Sequence, residues 1–183
     1  MNRSGFNKLH WGFLFVLIDF RINGFDILPN IIGYILFTVG LGILAGNSIY
    51  FVKARNFNIP MIILSFFSIY QQPGQGGGIQ LGPLGLASIP ISIISMVLAI
   101  LVVYNIFKGI KEMSEAREQM DIYSEADTRW RQFLLLQLAI LFVFVLIFIP
   151  ALALVYIIVL YIASIAITTL IMLFMKRCGE RLL

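Results

Sequence analysis

Residues 132–175 read QFLLLQLAILFVFVLIFIPALALVYIIVLYIASIAITTLIMLFM and contain no Asp, Glu, Lys, Arg or His. A membrane-spanning helix needs about 20 predominantly apolar residues. This stretch is therefore long enough for two crossings. Proline disfavours helical geometry in the residue before it, so we expect a tight turn or a sharp kink at Ile149 and Pro150.

The rest of the chain follows the same pattern, with 60% hydrophobic and only 12% charged residues. Soluble domains average about 45–50% apolar and 25% charged residues. Apolar length therefore predicts an all-α integral membrane helical bundle, formed as a single domain over residues 1–183. Six apolar segments are expected, with a break at residues 56–60 between the second and third: 9–20, 27–52, 59–70, 83–107, 132–149 and 151–175.

The basic residues indicate the orientation. With six crossings and a cytoplasmic N-terminus, Arg21 is the only Lys or Arg outside, which agrees with the excess of basic residues in cytoplasmic loops. Because the cations flank apolar runs instead of forming one patch, the net charge of +4 does not indicate nucleic acid binding. The basic residues predicted inside are Arg3, Lys8, Lys53, Arg55, Lys108, Lys111, Arg117, Arg129, Arg131, Lys176, Arg177 and Arg181.

The number of crossings has an alternative. Segments 9–20 and 59–70 are short, about 18 Å as helices against a hydrocarbon core of about 30 Å. Each of them can be a short span or a re-entrant or interfacial helix, which leaves four long spans. Both versions keep the two termini in the cytoplasm, and the charge distribution favours six.

Two polar connections stand out. Residues 71–83, QQPGQGGGIQLGP, predict a flexible loop or a re-entrant turn. Residues 108–131 predict a cytoplasmic charged amphipathic helix or loop, with opposite charges four residues apart on one helix. Those pairs are Lys108 with Glu112, Lys111 with Glu115, and Arg117 with Asp121.

A candidate polar cluster lies between the first two apolar segments, at Asp19, Arg21 and Asp26. Ionisable groups at membrane depth are costly and tend to be paired or functional. These three residues could line a cavity or dock a partner. The alternative is an interfacial turn, in which Arg21 extends towards the head groups and Asp26 lies near the positive end of the next helix.

The same region carries a resemblance. The run DFRINGFDILP at residues 19–29, followed by Ile32-Gly33-Tyr34-Ile35, resembles a family of small multi-pass bacterial membrane proteins of unknown function. The similarity covers about the first quarter of the chain. It implies a location in the bacterial plasma membrane and brings no activity with it.

Glycines in the second segment form a candidate helix-packing face at Gly33, Gly40, Gly42 and Gly46. Small residues let helix backbones approach closely in lipid. The face can pack inside the monomer, which we favour, or form a dimer interface.

The sequence favours a non-enzymatic function. It contains no HExxH motif, paired Asp or Ser–His arrangement, and no cofactor is expected. One His and one Cys cannot supply the three or four ligands of a usual metal site. We therefore expect an accessory or scaffolding subunit whose partners are the lipid bilayer and another membrane protein or a second copy of itself. The alternative is a small channel or transporter for an ion or small solute.

Overall fold

The computed structural model describes residues 3–17, 21–22, 25–26, 30–68, 88–146 and 149–182. They form six helices, α1 to α6: Arg3–Leu17, Asn30–Leu44, Ile49–Ser68, Ser88–Ala116, Met120–Leu146 and Pro150–Arg181. Two antiparallel two-residue strands, β1 (Arg21–Ile22) and β2 (Phe25–Asp26), lie between α1 and α2 in the chain. The prediction of an all-α chain with six helical segments is confirmed, although several boundaries differ.

The break between α2 and α3 lies earlier than predicted. The turn occupies residues 45–48 instead of 56–60. The Asn47 amide N–H donates to the Leu44 carbonyl, and the Ser48 hydroxyl accepts from the Tyr50 N–H at 3.1 Å. Ser48 therefore caps α3. The signal in the sequence is Gly46-Asn47-Ser48, a helix end followed directly by a helix start.

The predicted separator at residues 56–60 is part of a continuous helix. Pro60 lies inside α3, and Asn58 is completely buried. A proline inside a helix removes one backbone hydrogen bond, which membrane helices tolerate when neighbouring groups compensate. Packing of α3 against neighbouring helices thus outweighs the preference of residues 56–60 for a turn.

The charged segment forms two helices joined by a turn at residues 117–119. The Gln119 N–H donates to the Ser114 carbonyl at 2.9 Å, and the Glu118 N–H donates to the Glu115 carbonyl at 3.2 Å. This is a Schellman motif, with Glu118 in the left-handed region at φ 57°. The prediction that Arg117 and Asp121 are neighbours on one helix is therefore wrong.

The turn predicted at Pro150 is confirmed. Helix α5 ends at Leu146 and α6 begins at Pro150, while Ile149 has the non-helical angles φ −127° and ψ 83°. The Tyr156 hydroxyl then donates to the Ala139 carbonyl at 3.0 Å, so α6 returns along α5.

The six helices form a closed ring in chain order, in which α6 packs back against α1. Successive helices are antiparallel. For example, Asn58 of α3 contacts Tyr34 of α2, and Trp130 of α5 contacts Tyr104 of α4. One end of the ring therefore collects the start of α1, the 45–48 turn, the 117–119 turn and the end of α6. We name it the charged end, because the twelve basic residues predicted to share one side lie on the parts of the helices nearest to it.

The core lies where α1, α3, α4 and α6 meet. Phe6 and Phe51 pack edge to face with ring centroids 6.5 Å apart, and Phe107 stacks on Phe174 at 5.9 Å. All four rings are buried. Towards the other end, the apolar side chains of α4, α5 and α6 become exposed, among them Ile93, Val97, Leu135, Leu154 and Tyr161.

Two of the described helices are long and apolar enough to cross a membrane, within Pro90–Ala116 and Ala151–Arg181. Their most apolar windows have mean hydropathies of 2.3 and 2.6, yet only 28% and 17% of those windows are buried. A core helix of a soluble protein would be mostly buried. The low burial therefore favours an apolar environment around these helices.

Candidate functional site

The predicted glycine face is divided by the structure. A Cβ on Gly33 would lie 2.9 Å from the Gly12 carbonyl oxygen, and one on Gly40 would lie 2.8 Å from the Gly5 carbonyl oxygen. Both glycines therefore permit close contact between α2 and α1. A Cβ on Gly42 would meet only the Arg55 side chain at 3.7 Å.

Gly46 does not belong to this face. It lies in the turn after α2, and a Cβ there would have nothing within 4 Å. Two glycines of α1 complete the contact instead, because Gly5 faces Gly40 and Gly12 faces Gly33. The overlooked signal was the same seven-residue spacing on both helices. Gly33 and Gly40 thus pack inside the monomer, whereas Gly42 and Gly46 take no part in the contact.

The predicted polar cluster is only partly described. Asp19 lies outside the described residues. The backbone positions of Arg21 and Asp26 are paired across β1 and β2, with Ile22 opposite Phe25. The pairing therefore brings two of the three candidate positions into register. The predicted loop at residues 71–83 also lies outside the described residues.

Acidic residues of α5 hold the charged ends of α4, α5 and α6 together. Lys111 Nζ of α4 lies 2.8 Å from Asp127 Oδ1, in place of the predicted pair with Glu115. On α6, Arg177 pairs with Glu125, and Arg181 pairs with Asp121. We call these three interhelical pairs the ionic clasp.

The clasp is reinforced within α5. Arg129 Nη2 lies 2.9 Å from Glu125 Oε1, and Arg131 Nη2 lies 2.8 Å from Asp127 Oδ2. The hydrogen bond from Lys111 holds the pKa of the Asp127 carboxyl below its usual value. The first part of α5 is thus held to α4 and α6 by ion pairs.

A cleft of about 410 Å³ opens beside the clasp, between the start of α3 and the facing ends of α4 and α5. Lysines lie over aromatic rings of its wall. Lys108 Nζ is 4.6 Å from the Tyr50 ring centroid, and Lys111 Nζ is 4.5 Å from that of Tyr123. Cation–π contacts of this kind are attractive. The protein's own cations therefore cover these rings, and their contacts join α4 to α3 and to α5 at this cleft.

A second cleft, of about 590 Å³, lies between the start of α1 and the end of α6. We call it the α1–α6 cleft. His10 Nδ1 donates to the Met172 carbonyl at 2.8 Å and so joins the two helices beside it. The His10 ring also packs edge to face on Trp11, with centroids 5.6 Å apart.

A buried polar group between α2 and α3 was not anticipated. Asn58 Nδ2 donates to the Tyr34 carbonyl at 2.6 Å and to Thr38 Oγ1 at 2.8 Å. The buried Asn58 Oδ1 has no hydrogen-bond partner among the described residues. An unsatisfied buried acceptor costs about 1–3 kcal/mol, which makes this position unusual. The signal was available as an Asn in a helix beside an internal proline.

No described residues form a group of three or more His, Cys, Asp or Glu side chains able to hold a metal ion. Cys178, the only cysteine of the chain, is buried near the end of α6. Comparison of the chain with protein-family models, curated proteins and solved structures gives no significant match.

Proposed function

We propose that this chain is a multi-pass protein of the bacterial plasma membrane that acts as a non-enzymatic accessory or scaffolding subunit for another membrane protein. The observation that carries the proposal is the long apolar flank of α6. Leu154 is 63% exposed and Tyr161 is 69% exposed, whereas Ala153 beside them is only 8% exposed. Such a flank needs lipid or a partner helix against it.

The packing supports six crossings over four. The α1–α2 contacts extend from Gly5 and Gly40 at the charged end to Gly12 and Gly33 deeper in the bundle. Helix α1 therefore runs alongside α2 from the charged end into the bundle, so both helices would reach a similar depth in the membrane. Helix α3 has 20 residues, but Lys53 and Arg55 lie in its first half, so its charge-free part at residues 56–68 is about 20 Å long and would form a short span.

The charged end fits the cytoplasmic side. Helix α6 has 32 residues and is about 48 Å long, which exceeds a core of about 30 Å. Its basic end can therefore project into water together with the ionic clasp. The bias of Lys and Arg towards the cytoplasm then orients the whole bundle.

Photo-crosslinking in living cells tests the partner. We would introduce p-benzoylphenylalanine at Leu154 or Tyr161, with Ala153 as the matched buried control on the same helix. We expect discrete protein adducts from the two exposed positions and none from the control. An adduct with the mass of two copies would identify the partner as a second copy of this chain. Adducts to lipid alone would contradict the subunit role while leaving the membrane location intact.

Cysteine accessibility in sealed cells tests the topology. The folded protein should show little labelling of its own, because its native Cys178 is buried. Six crossings predict that Gly46→Cys reacts only after permeabilisation, whereas Gly24→Cys reacts directly. The reverse pattern at both positions would support four crossings.

A small channel or transporter is the second candidate. The buried Asn58 and its half-buried partner Thr38 favour it, because a polar group in the middle of a helix pair can line a path for a solute. Liposomes containing the protein should then show a flux that Asn58→Leu abolishes. If the flux is unchanged by the triple change Asp19→Asn, Arg21→Gln and Asp26→Asn, the predicted polar cluster does not line the path of the solute.

A further inference from the structure

The α1–α6 cleft combines an exposed aromatic ring with polar side chains. Phe6 and Met175 at its base are completely covered by the protein, whereas Trp11 is 47% exposed in its wall. Ser4, Asn7 and Lys176 are exposed around it and offer hydroxyl, amide and ammonium donors. A phospholipid has the complementary arrangement, with apolar acyl chains below a phosphate that accepts hydrogen bonds.

The charge of the surrounding helix ends favours an anionic ligand. Glu180 also lines the cleft and takes part in an interaction of its own. Arg177 is held by Glu125 in the ionic clasp, whereas its neighbour Lys176 faces the cleft. Helix α1 contains no acidic residue and carries Lys8 directly after Asn7, whereas Arg177 and Arg181 of α6 are paired with carboxylates of α5.

Trp11 indicates the depth of the cleft. It is 47% exposed at the edge and lies one residue from His10, which ties α1 to α6. Tryptophan is enriched at the level of the lipid head groups. Basic pockets between helices on the cytoplasmic side are a known form of head-group site.

We propose that the α1–α6 cleft binds the phosphate head group of an anionic phospholipid from the cytoplasmic leaflet. Lys176 pairs with the phosphate, Ser4 and Asn7 donate to its oxygens, and the upper acyl chains lie against the exposed Trp11 ring. The bound lipid joins the first and last helices of the ring at the charged end. This inference rests on the proposed membrane location.

Quenching of Trp11 by brominated lipids tests the site. The change Trp130→Phe leaves Trp11 as the single tryptophan of the full-length chain. The protein would be reconstituted into phosphatidylcholine vesicles containing increasing fractions of brominated phosphatidylglycerol or, separately, brominated phosphatidylcholine. We expect phosphatidylglycerol to saturate the quenching at a low mole fraction. Equal quenching by both lipids, in proportion to mole fraction, would overturn the proposal.

Two charge variants separate a built site from general surface attraction. Lys176→Gln should weaken the apparent phosphatidylglycerol affinity about fivefold, as expected for one basic residue near an anionic lipid. Lys53→Gln removes an exposed cation at the same end but on α3, and it should change the affinity less than twofold. Equal losses in the two variants would contradict a specific cleft. Absence of quenching by any brominated lipid would instead contradict the membrane location itself.

Discussion

The contact between α1 and α2 allows a sharp prediction about Gly40. A Cβ at this position would lie 2.8 Å from the Gly5 carbonyl oxygen and 3.1 Å from Lys8 Cβ. A backbone carbonyl inside a helix cannot move alone, so Gly40→Ala must displace α1. Overpacking of this kind costs about 1–3 kcal/mol.

Gly42→Ala is the matched control. Alanine is favoured over glycine in a helix by about 1 kcal/mol, and both positions lie in α2 two residues apart. The nearest atom to a Cβ on Gly42 is Arg55 Cζ at 3.7 Å, which is an ordinary contact. The helix propensity gain therefore cancels between the two variants. Their difference isolates the clash, and we expect Gly40→Ala to be about 1–3 kcal/mol less stable than Gly42→Ala.

The buried Cys178 supplies the assay. A thiol-reactive fluorogenic dye will label the single cysteine only as the bundle opens, so its fluorescence against temperature follows unfolding in mild detergent. One kcal/mol corresponds to about 2–4 °C for a chain of this size, so the midpoints should differ by about 2–12 °C. Equal midpoints would refute the inference that Gly40 is required for close contact between α1 and α2.

The remaining predictions concern a helix end, a buried amide and the ionic clasp. Glu118→Gly should raise the unfolding midpoint by about 2–4 °C, because glycine relieves a left-handed conformation that costs about 1 kcal/mol, whereas Glu118→Ala should not raise it. Asn58→Asp should destabilise the bundle most at alkaline pH and less at acidic pH, because the buried carboxylate must be protonated to be tolerated; Asn58→Leu should show no such pH dependence. Asp127→Asn should lower stability at pH 7, because its folded pKa is depressed by Lys111, and the gap to the wild type should close as the pH falls below the usual Asp value of about 4. A stability difference of the same size at pH 7 and at acidic pH would show that the Asp127 charge contributes no stability.

The helix boundaries show where local sequence is sufficient. Pro150 ends one helix and starts the next as predicted, because its ring acts on the adjacent backbone. The turn at 45–48 had an equally local signal in Gly46 and Ser48. The turn was not predicted because residues 27–52 contain no charged residue, and a charge-free run of this length predicts one continuous span.

The ion pairs between different helices could not be predicted from the local sequence pattern. Asp121, Glu125 and Asp127 have basic residues nearby in the sequence, yet their interhelical partners are Arg181, Arg177 and Lys111. Residues four apart on a helix are neighbours whatever the fold, and such pairs can be predicted from spacing. Partners on α4 and α6 become neighbours only after α5 has packed between them.

By itself, the sequence determined the number of helical segments, the apolar character of α4 and α6, and the gathering of basic residues at alternate connections. These properties depend on composition and length along a single segment. The tertiary structure alone decided that Gly5 and Gly12 face Gly40 and Gly33, that Asn58 is buried, and that α6 closes the ring on α1. The physical reason is that each of these contacts joins segments far apart in the chain, so its geometry exists only when both helices are in place.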